Sequence, residues 1–190
     1  MCHLKRTLYG LKQAPRAWYT RLKKELVLLG FEESDADPGL YVLRHDNGII
    51  YLLVYVDDLL FAGATKDVKL QEVKTKLQAI FDSRDLGDVN LFVGIELIRN
   101  RTAGTLKICQ PRMIGELLTK YGMLQVKTRT TPLSASIKLV KDSGELLDTN
   151  KFPYSELIGS LLYLAVCTRP DIAQAVGALA RHMSAPSEQH

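Results

Sequence analysis

The chain has 190 residues, 46% of them hydrophobic and 24% charged, with a formal net charge of +4. That length and balance describe a chain with one sizeable core or two small ones, and they exclude a disordered or fibrous protein. The longest apolar runs, IIYLLVYV and LLYLAV, fall far short of the roughly 20 residues of a membrane helix, and MCHLKRTLYG lacks the apolar centre of a signal peptide, so a non-secreted, intracellular protein without a membrane partner is expected.

In chain order, residues 1–24 come first, a basic block with Lys5, Arg6, Lys12, Arg16, Arg21, Lys23 and Lys24 and no Asp or Glu. Such a block serves either a polyanion or a solvated helix face. Pro15 suits the first turn of a helix, and the spacing of Arg16 to Leu29 predicts a helix that ends at Gly30, with Trp18, Leu22, Leu26 and Leu29 inside and Arg16 and Lys23 opposite. The turn signals DADPG and HDNG bracket LYVLR and lead into IIYLLVYV, which predicts a hairpin over 40–56. Its second strand is apolar on both faces and so belongs in the middle of a covered sheet.

A helix follows over 66–80, with Val68, Val73, Leu77 and Ile80 on one face. LFVGIELI and TLKICQ, joined by RNRTAG, read as another hairpin, followed by a helix from Pro111 to about Tyr121. Residues 125–151 read as a linker, and PYSELIGSLLYLAV and RPDIAQAVGALARHM read as two helices separated at Thr168 to Pro170. Cys2, Cys109 and Cys167 are odd in number and far apart, which argues against a disulfide framework. His3, His45, His182 and His190 have neither HExxH spacing nor a CxxC partner, so a structural zinc site has no support.

YVDD, residues 55–58, breaks this plain pattern, because apolar strand residues run straight into Asp57 and Asp58. Strand neighbours point to opposite faces, so the two carboxylates share a site only in a tight turn. The sequence predicts a hairpin with that pair at its tip, although Asp-Asp is not the favoured turn dipeptide and the two charges repel. A hard divalent cation such as magnesium would relieve the repulsion. Ordinary solvent-screened turn chemistry is the plainer alternative.

LYGLKQAPRAWY (8–19), DADPGLYV (35–42), YVDDLLFAG (55–63) and LGDVNLFVGIEL (86–97), in that order, closely resemble the reverse transcriptase of copia-type retrotransposons. TPLSASIKL (131–139) and the whole of 154–190 resemble that family's region between polymerase and RNase H, so the resemblance spans essentially the full chain. It implies RNA-directed DNA synthesis with two magnesium ions, an RNA template, a DNA primer and dNTPs. By this resemblance Asp57 is the main metal ligand and Asp58 its weaker neighbour, while Tyr55 and Val56 lie beneath the primer end and nucleotide. Gly10 allows close backbone approach, and Lys12, Gln13 and Arg16 face nucleotide or phosphate. Gly10 and Pro15 also fit a plain turn entering a helix, and Trp18 fits the core better than a base-stacking platform. LFVGIEL resembles the primer-grip hairpin. Gly39 stands where the family usually has Cys, with no functional consequence expected.

The implied fold is α+β: a truncated polymerase palm of mostly antiparallel sheet with flanking helices (1–98), a thumb-like hairpin and helix (99–124), and a linker with a helical connection region (125–190). The rest of a polyprotein is the implied partner, and the cytoplasm, in virus-like particles, and the nucleus are the implied compartments. The family's third carboxylate belongs to a strand upstream of LYGLKQAP and is not among these residues, so no polymerase activity is expected from this chain alone. Asp46 is too distant to substitute, about 36 Å from Asp57 along a straight strand. Pairing His45 with Ile49 would set Asp37 opposite Asp57, about 5 Å away, close to the site without replacing the ligand. Two other readings are a non-catalytic nucleic-acid-binding remnant, and an aspartic protease suggested by Asp142-Ser143-Gly144, a polar stretch that reads better as a surface turn.

Overall fold

The computed structural model describes residues 8, 10–64, 66–134, 136–137, 139–140 and 144–190. Asp142 and Ser143 of the DSG triplet lie outside the described residues, as do Lys5 and Arg6 of the basic block. The chain forms two compact units, 1–89 and 90–190, each mixed helix and antiparallel sheet, which makes the fold α+β.

The first unit begins with helix α1 (Ala14–Leu28), which has Pro15 in its first turn. Its end is set by Gly30 at φ 92: the Gly30 N–H donates to Val27 O and the Phe31 N–H to Leu26 O, the paired bonds of a Schellman stop. Strands β1 (Glu32–Glu33), β2 (Leu40–His45), β3 (Gly48–Tyr55) and β4 (Asp58–Ala62) then form an antiparallel sheet in that order. Helix α2 (Val68–Phe81) closes the unit. Leu22 and Leu26 of α1 pack with Leu70, Val73 and Leu77 of α2 against Tyr41, Leu43, Ile50 and Leu52, which share one face of the sheet. The expected inner stripe of α1 is therefore present, with Trp18 and Leu29 at its edges.

Three expectations change here. The β2–β3 turn holds two residues, Asp46 and Asn47, and pairs His45 with Gly48, with Gly48 itself at φ 148. The register is thus one residue off the expected pairing, and Asp37 lies before the ladder, in a turn where its carbonyl accepts from the Leu40 N–H. Strand β3 is central in the ladder, but its second face is open: Ile49 is 40%, Tyr51 45% and Tyr55 54% exposed. In α2, Val68 is 82% exposed and Leu70 takes its place inside, because Leu70, Val73 and Leu77 follow the i, i+3, i+7 spacing of one helix face, whereas Val68 precedes Val73 by five positions, about 140° round the helix.

Asp67 is itself buried. Its Oδ1 accepts from the N–H of Lys69 (2.8 Å) and Leu70 (3.4 Å), and its Oδ2 lies 3.0 Å from His45 Nε2, off the direction of a hydrogen bond. Asp67→Ala removes the cap, so a loss of about 1 kcal/mol is expected in urea unfolding, with Asp67→Asn losing less. An unchanged midpoint would show that the cap contributes nothing.

The second unit contains strands β5 (Leu91–Phe92), β6 (Ile95–Asn100) and β7 (Thr105–Cys109), then helices α3 (Pro111–Lys120), α4 (Tyr154–Cys167) and α5 (Ala173–Ala180), the last entered through a single 3₁₀ turn at Pro170–Ile172. LFVGIELI is therefore a tight hairpin in its own right, turning at Val93 (φ 49) and Gly94 (φ 74), the paired positive values of a type I′ turn. Tyr154, Ile158 and Val176 form the core between α4 and α5, and the Tyr154 hydroxyl donates to Leu179 O. The described residues of 125–151 contain no helix or extended strand, only an isolated bridge from Leu146 to Ser187. No helix among the described residues is long and apolar enough to cross a membrane.

Candidate active site

Two short segments carry the residues singled out in the sequence. The first is the entry to α1. Gly10 takes φ 89 in a turn that leads into the helix, and a side chain added there would meet nothing within 4 Å, so its backbone is open to close approach. Gln13 stands at the N-cap with no side-chain cap bond, which leaves its amide unused by the helix. Lys12, Gln13 and Arg16 are all exposed, and Gln13 and Arg16 line a shallow depression with Thr20, Arg21 and Lys24.

The second segment is the turn between β3 and β4. Tyr55 pairs with Asp58, so the central residues are Val56 and Asp57, not the two aspartates. Val56 has φ 56, whereas Asp57 is not in the positive range, the pattern of a type II′ turn in which glycine is the usual first residue. Asp58 opens β4 on the open face of the sheet, the face of Tyr55 and Tyr51. Both carboxylates are exposed, and neither is hydrogen-bonded or ion-paired to another described residue. Charged oxygens left without a protein cation suit magnesium, which prefers one or two carboxylates together with substrate oxygens.

Trp18 joins the two segments. Its indole Nε1–H donates to Val56 O at 2.7 Å across 38 positions of sequence, while its ring meets Phe81 edge-on at 5.2 Å and 70°. Trp18 is thus a core residue, as expected, and also a partner of the turn. The signal available in the sequence was that a partly buried tryptophan needs an acceptor for its N–H.

The next helical residue fixes the other side of α1. The Tyr19 hydroxyl donates to Glu33 Oε1 at 2.5 Å and accepts from the Tyr41 hydroxyl, and Lys23 pairs with the same carboxylate. Hydrogen bonds from Lys23 and then Tyr19 hold the Glu33 carboxyl below its usual range, and the bond to Glu33 pushes the Tyr19 phenol well above its own.

Asp37 Oδ1 accepts from the Gly39 N–H at 2.7 Å, a local bond that fixes the turn entering β2. Gly39 continues the sheet one step beyond β2 by accepting from the Val54 N–H, and a side chain there would come to 3.0 Å from Val54 O. Gly39 is therefore tightly fitted. Among the described residues no three His, Cys, Asp or Glu side chains gather to hold a metal ion.

Residues 1–135 match the family model described as reverse transcriptase (RNA-dependent DNA polymerase). The chain belongs to the reverse transcriptase family. It is similar to the retrovirus-related Pol polyprotein from transposon RE1 of Arabidopsis thaliana, 42% identical over 100% of this chain and 13% of that one. It is also similar to the corresponding polyproteins from transposon TNT 1-94 of Nicotiana tabacum (37%, covering 100% and 15%) and RE2 of Arabidopsis thaliana (40%, covering 100% and 13%). The copia-type retrotransposon assignment implied by the motifs holds, and the chain corresponds to a reverse transcriptase portion of such a polyprotein. It spans only 13–15% of the length of these relatives. No solved structure matches it.

Proposed function

We propose that this chain contributes the metal-binding turn and a nucleotide-facing helix to an RNA-directed DNA polymerase acting on an RNA template, a DNA primer and dNTPs. What supports the reading is the turn itself: two unpaired carboxylates on a hairpin, joined by Trp18 to the helix that presents Gln13 and Arg16. Asp57 is the main ligand and Asp58 the second. Magnesium bound there would clamp the attacking and leaving oxygens of nucleotidyl transfer. The chain's own residues do the positioning: Tyr55 and Val56 form the floor beneath primer end and nucleotide, Gly10 admits the substrate backbone, and Lys12, Gln13 and Arg16 meet nucleotide or phosphate.

In this reading residues 1–98 supply palm elements, 99–124 a thumb-like hairpin and helix, and 125–190 a connection, within a polyprotein in the cytoplasm, in virus-like particles, or in the nucleus. The 190 residues by themselves contribute two of the family's three carboxylates, so positioning and metal binding are both incomplete in the isolated polypeptide. A second reading, a nucleic-acid-binding remnant without catalysis, is favoured by the exposed cationic face of α1.

Primer extension and binding with the purified 190-residue polypeptide separate these outcomes. The expected result is binding to a primer–template duplex that weakens steeply between roughly 50 and 200 mM salt, with no extension in magnesium. Extension that disappears in Asp57→Asn would show that the two carboxylates suffice. Absence of salt-dependent binding would count against both readings.

A further inference from the structure

Val56 in the β3–β4 turn (φ 56) and Val93 in the β5–β6 turn (φ 49) both place a β-branched residue at positive φ. This is an outlier conformation, because the branched Cβ crowds the backbone there. In both turns the valine carbonyl is held by an aromatic donor on a helix: Trp18 Nε1–H of α1 donates to Val56 O at 2.7 Å, and the Tyr163 hydroxyl of α4 donates to Val93 O at 2.6 Å. The same device appears once in each unit, at each valine that departs from its preferred backbone. The third described non-glycine residue at positive φ is Asp82, a residue type that tolerates the region and here ends α2.

Trp18 is well placed to act as a tether. Its ring lies edge-on against Phe81, and the Arg21 guanidinium lies 5.4 Å over that same Phe81 ring, so swinging the indole away gives up its contact with the end of α2. The indole has one N–H, and Val56 O takes it. If the bond is lost, the valine can relax toward negative φ, the peptide between Val56 and Asp57 rotates, and both carboxylates shift, whereas ligand placement in a working site tolerates only about 0.5 Å.

We propose that Trp18 is a positioning residue, whose bond to Val56 O holds the carboxylate turn in its positive-φ form and registers it against the helix that carries Gln13 and Arg16. The structural half stands on the geometry alone. The catalytic consequence rests on the polymerase reading.

Trp18 is the single tryptophan of the chain, so its indole N–H gives one assignable signal in a ¹⁵N-labelled sample. In the unsubstituted polypeptide that proton should exchange well below the rate of free indole. Exchange at the free rate would overturn the proposal without any variant. Trp18→Phe keeps a ring against Phe81 and removes the donor. The Asp58 amide, which closes the turn opposite Tyr55, should then exchange about tenfold faster, the factor corresponding to a typical net hydrogen bond, while Ile50 and Leu52 amides stay within about twofold. Tyr163→Phe should loosen the turn at Val93 and leave Asp58 alone. An equal acceleration at all amides in Trp18→Phe would mean a general packing role, and an unchanged Asp58 would mean no tether; either result overturns the proposal. Failure of the polymerase reading is seen separately, as primer extension insensitive to Asp57→Asn when residues 1–190 replace the matching segment of a working relative, beside an intact exchange effect.

Discussion

Asp57→Asn is expected to lower primer extension by about 10³-fold in a chimera, made by exchanging the matching segment of a working relative for residues 1–190, with no measurable change in folding stability. The magnitude follows from the chemistry. Asparagine keeps the shape and one acceptor oxygen but loses the charge that binds a hard cation, and a metal clamp on transferring oxygens is worth several kcal/mol, each 1.36 kcal/mol being tenfold in rate. The structure separates this effect from a folding defect. The Asp57 carboxylate is exposed and bonded to no other described residue, so the substitution falls in the class of surface changes within about 0.5 kcal/mol. Asp58→Asn should cost less, as the weaker ligand. Extension by Asp57→Asn at the unsubstituted chimera's rate would remove the turn from the catalytic centre, and a lowered unfolding midpoint would show that the carboxylate supports the fold instead.

The family was legible because its motifs are long, ordered and spread over the whole chain, and the elements were legible where local chemistry decides them. Pro15 and Gly30 bracket α1, and Pro111 opens α3, because each fixes the backbone with little help from elsewhere. Positions decided by tertiary contact were not legible. Turn propensity puts two aspartates at the hairpin tip, yet the tip is Val56-Asp57, held against valine's own preference by a tryptophan 38 residues away. The HDNG turn pairs His45 with Gly48 rather than Ile49, so the register that would set Asp37 opposite Asp57 is not the one adopted. The open face of β3 has a different reason. A strand apolar on both faces says that both faces are suited to cover, and within the first unit α1 and α2 cover only one of them. The roles given to Gly10, Lys12, Gln13 and Arg16 come from the resemblance, and the structure adds that their side chains or backbone are exposed at one end of α1.

Leu26→Ala should cost about 2–5 kcal/mol, a large stability loss for a single truncation. Leu26 is 0% exposed and sits among Leu22, Phe31, Tyr41 and the inner residues of β2 and β3. It also occupies the position whose carbonyl accepts the Phe31 N–H in the helix stop, so the cavity opens beside the contact that turns the chain from α1 toward the sheet. Neighbouring leucines provide the comparison. Leu28, two residues on in the same helix, is 71% exposed, and its change to alanine should stay within about 0.5 kcal/mol. Typical domains retain only 5–15 kcal/mol in all, so Leu26→Ala takes a large part of what holds α1 and α2 on the sheet. Amide exchange should locate the loss: Ile50 and Leu52 lose protection, whereas Ile158 and Val176, which belong to the separate core of the second unit, keep theirs. Equal loss at all four amides would show that the two cores unfold as one cooperative body, and no loss at Ile50 would show that the α1 face of the sheet repacks around the missing side chain.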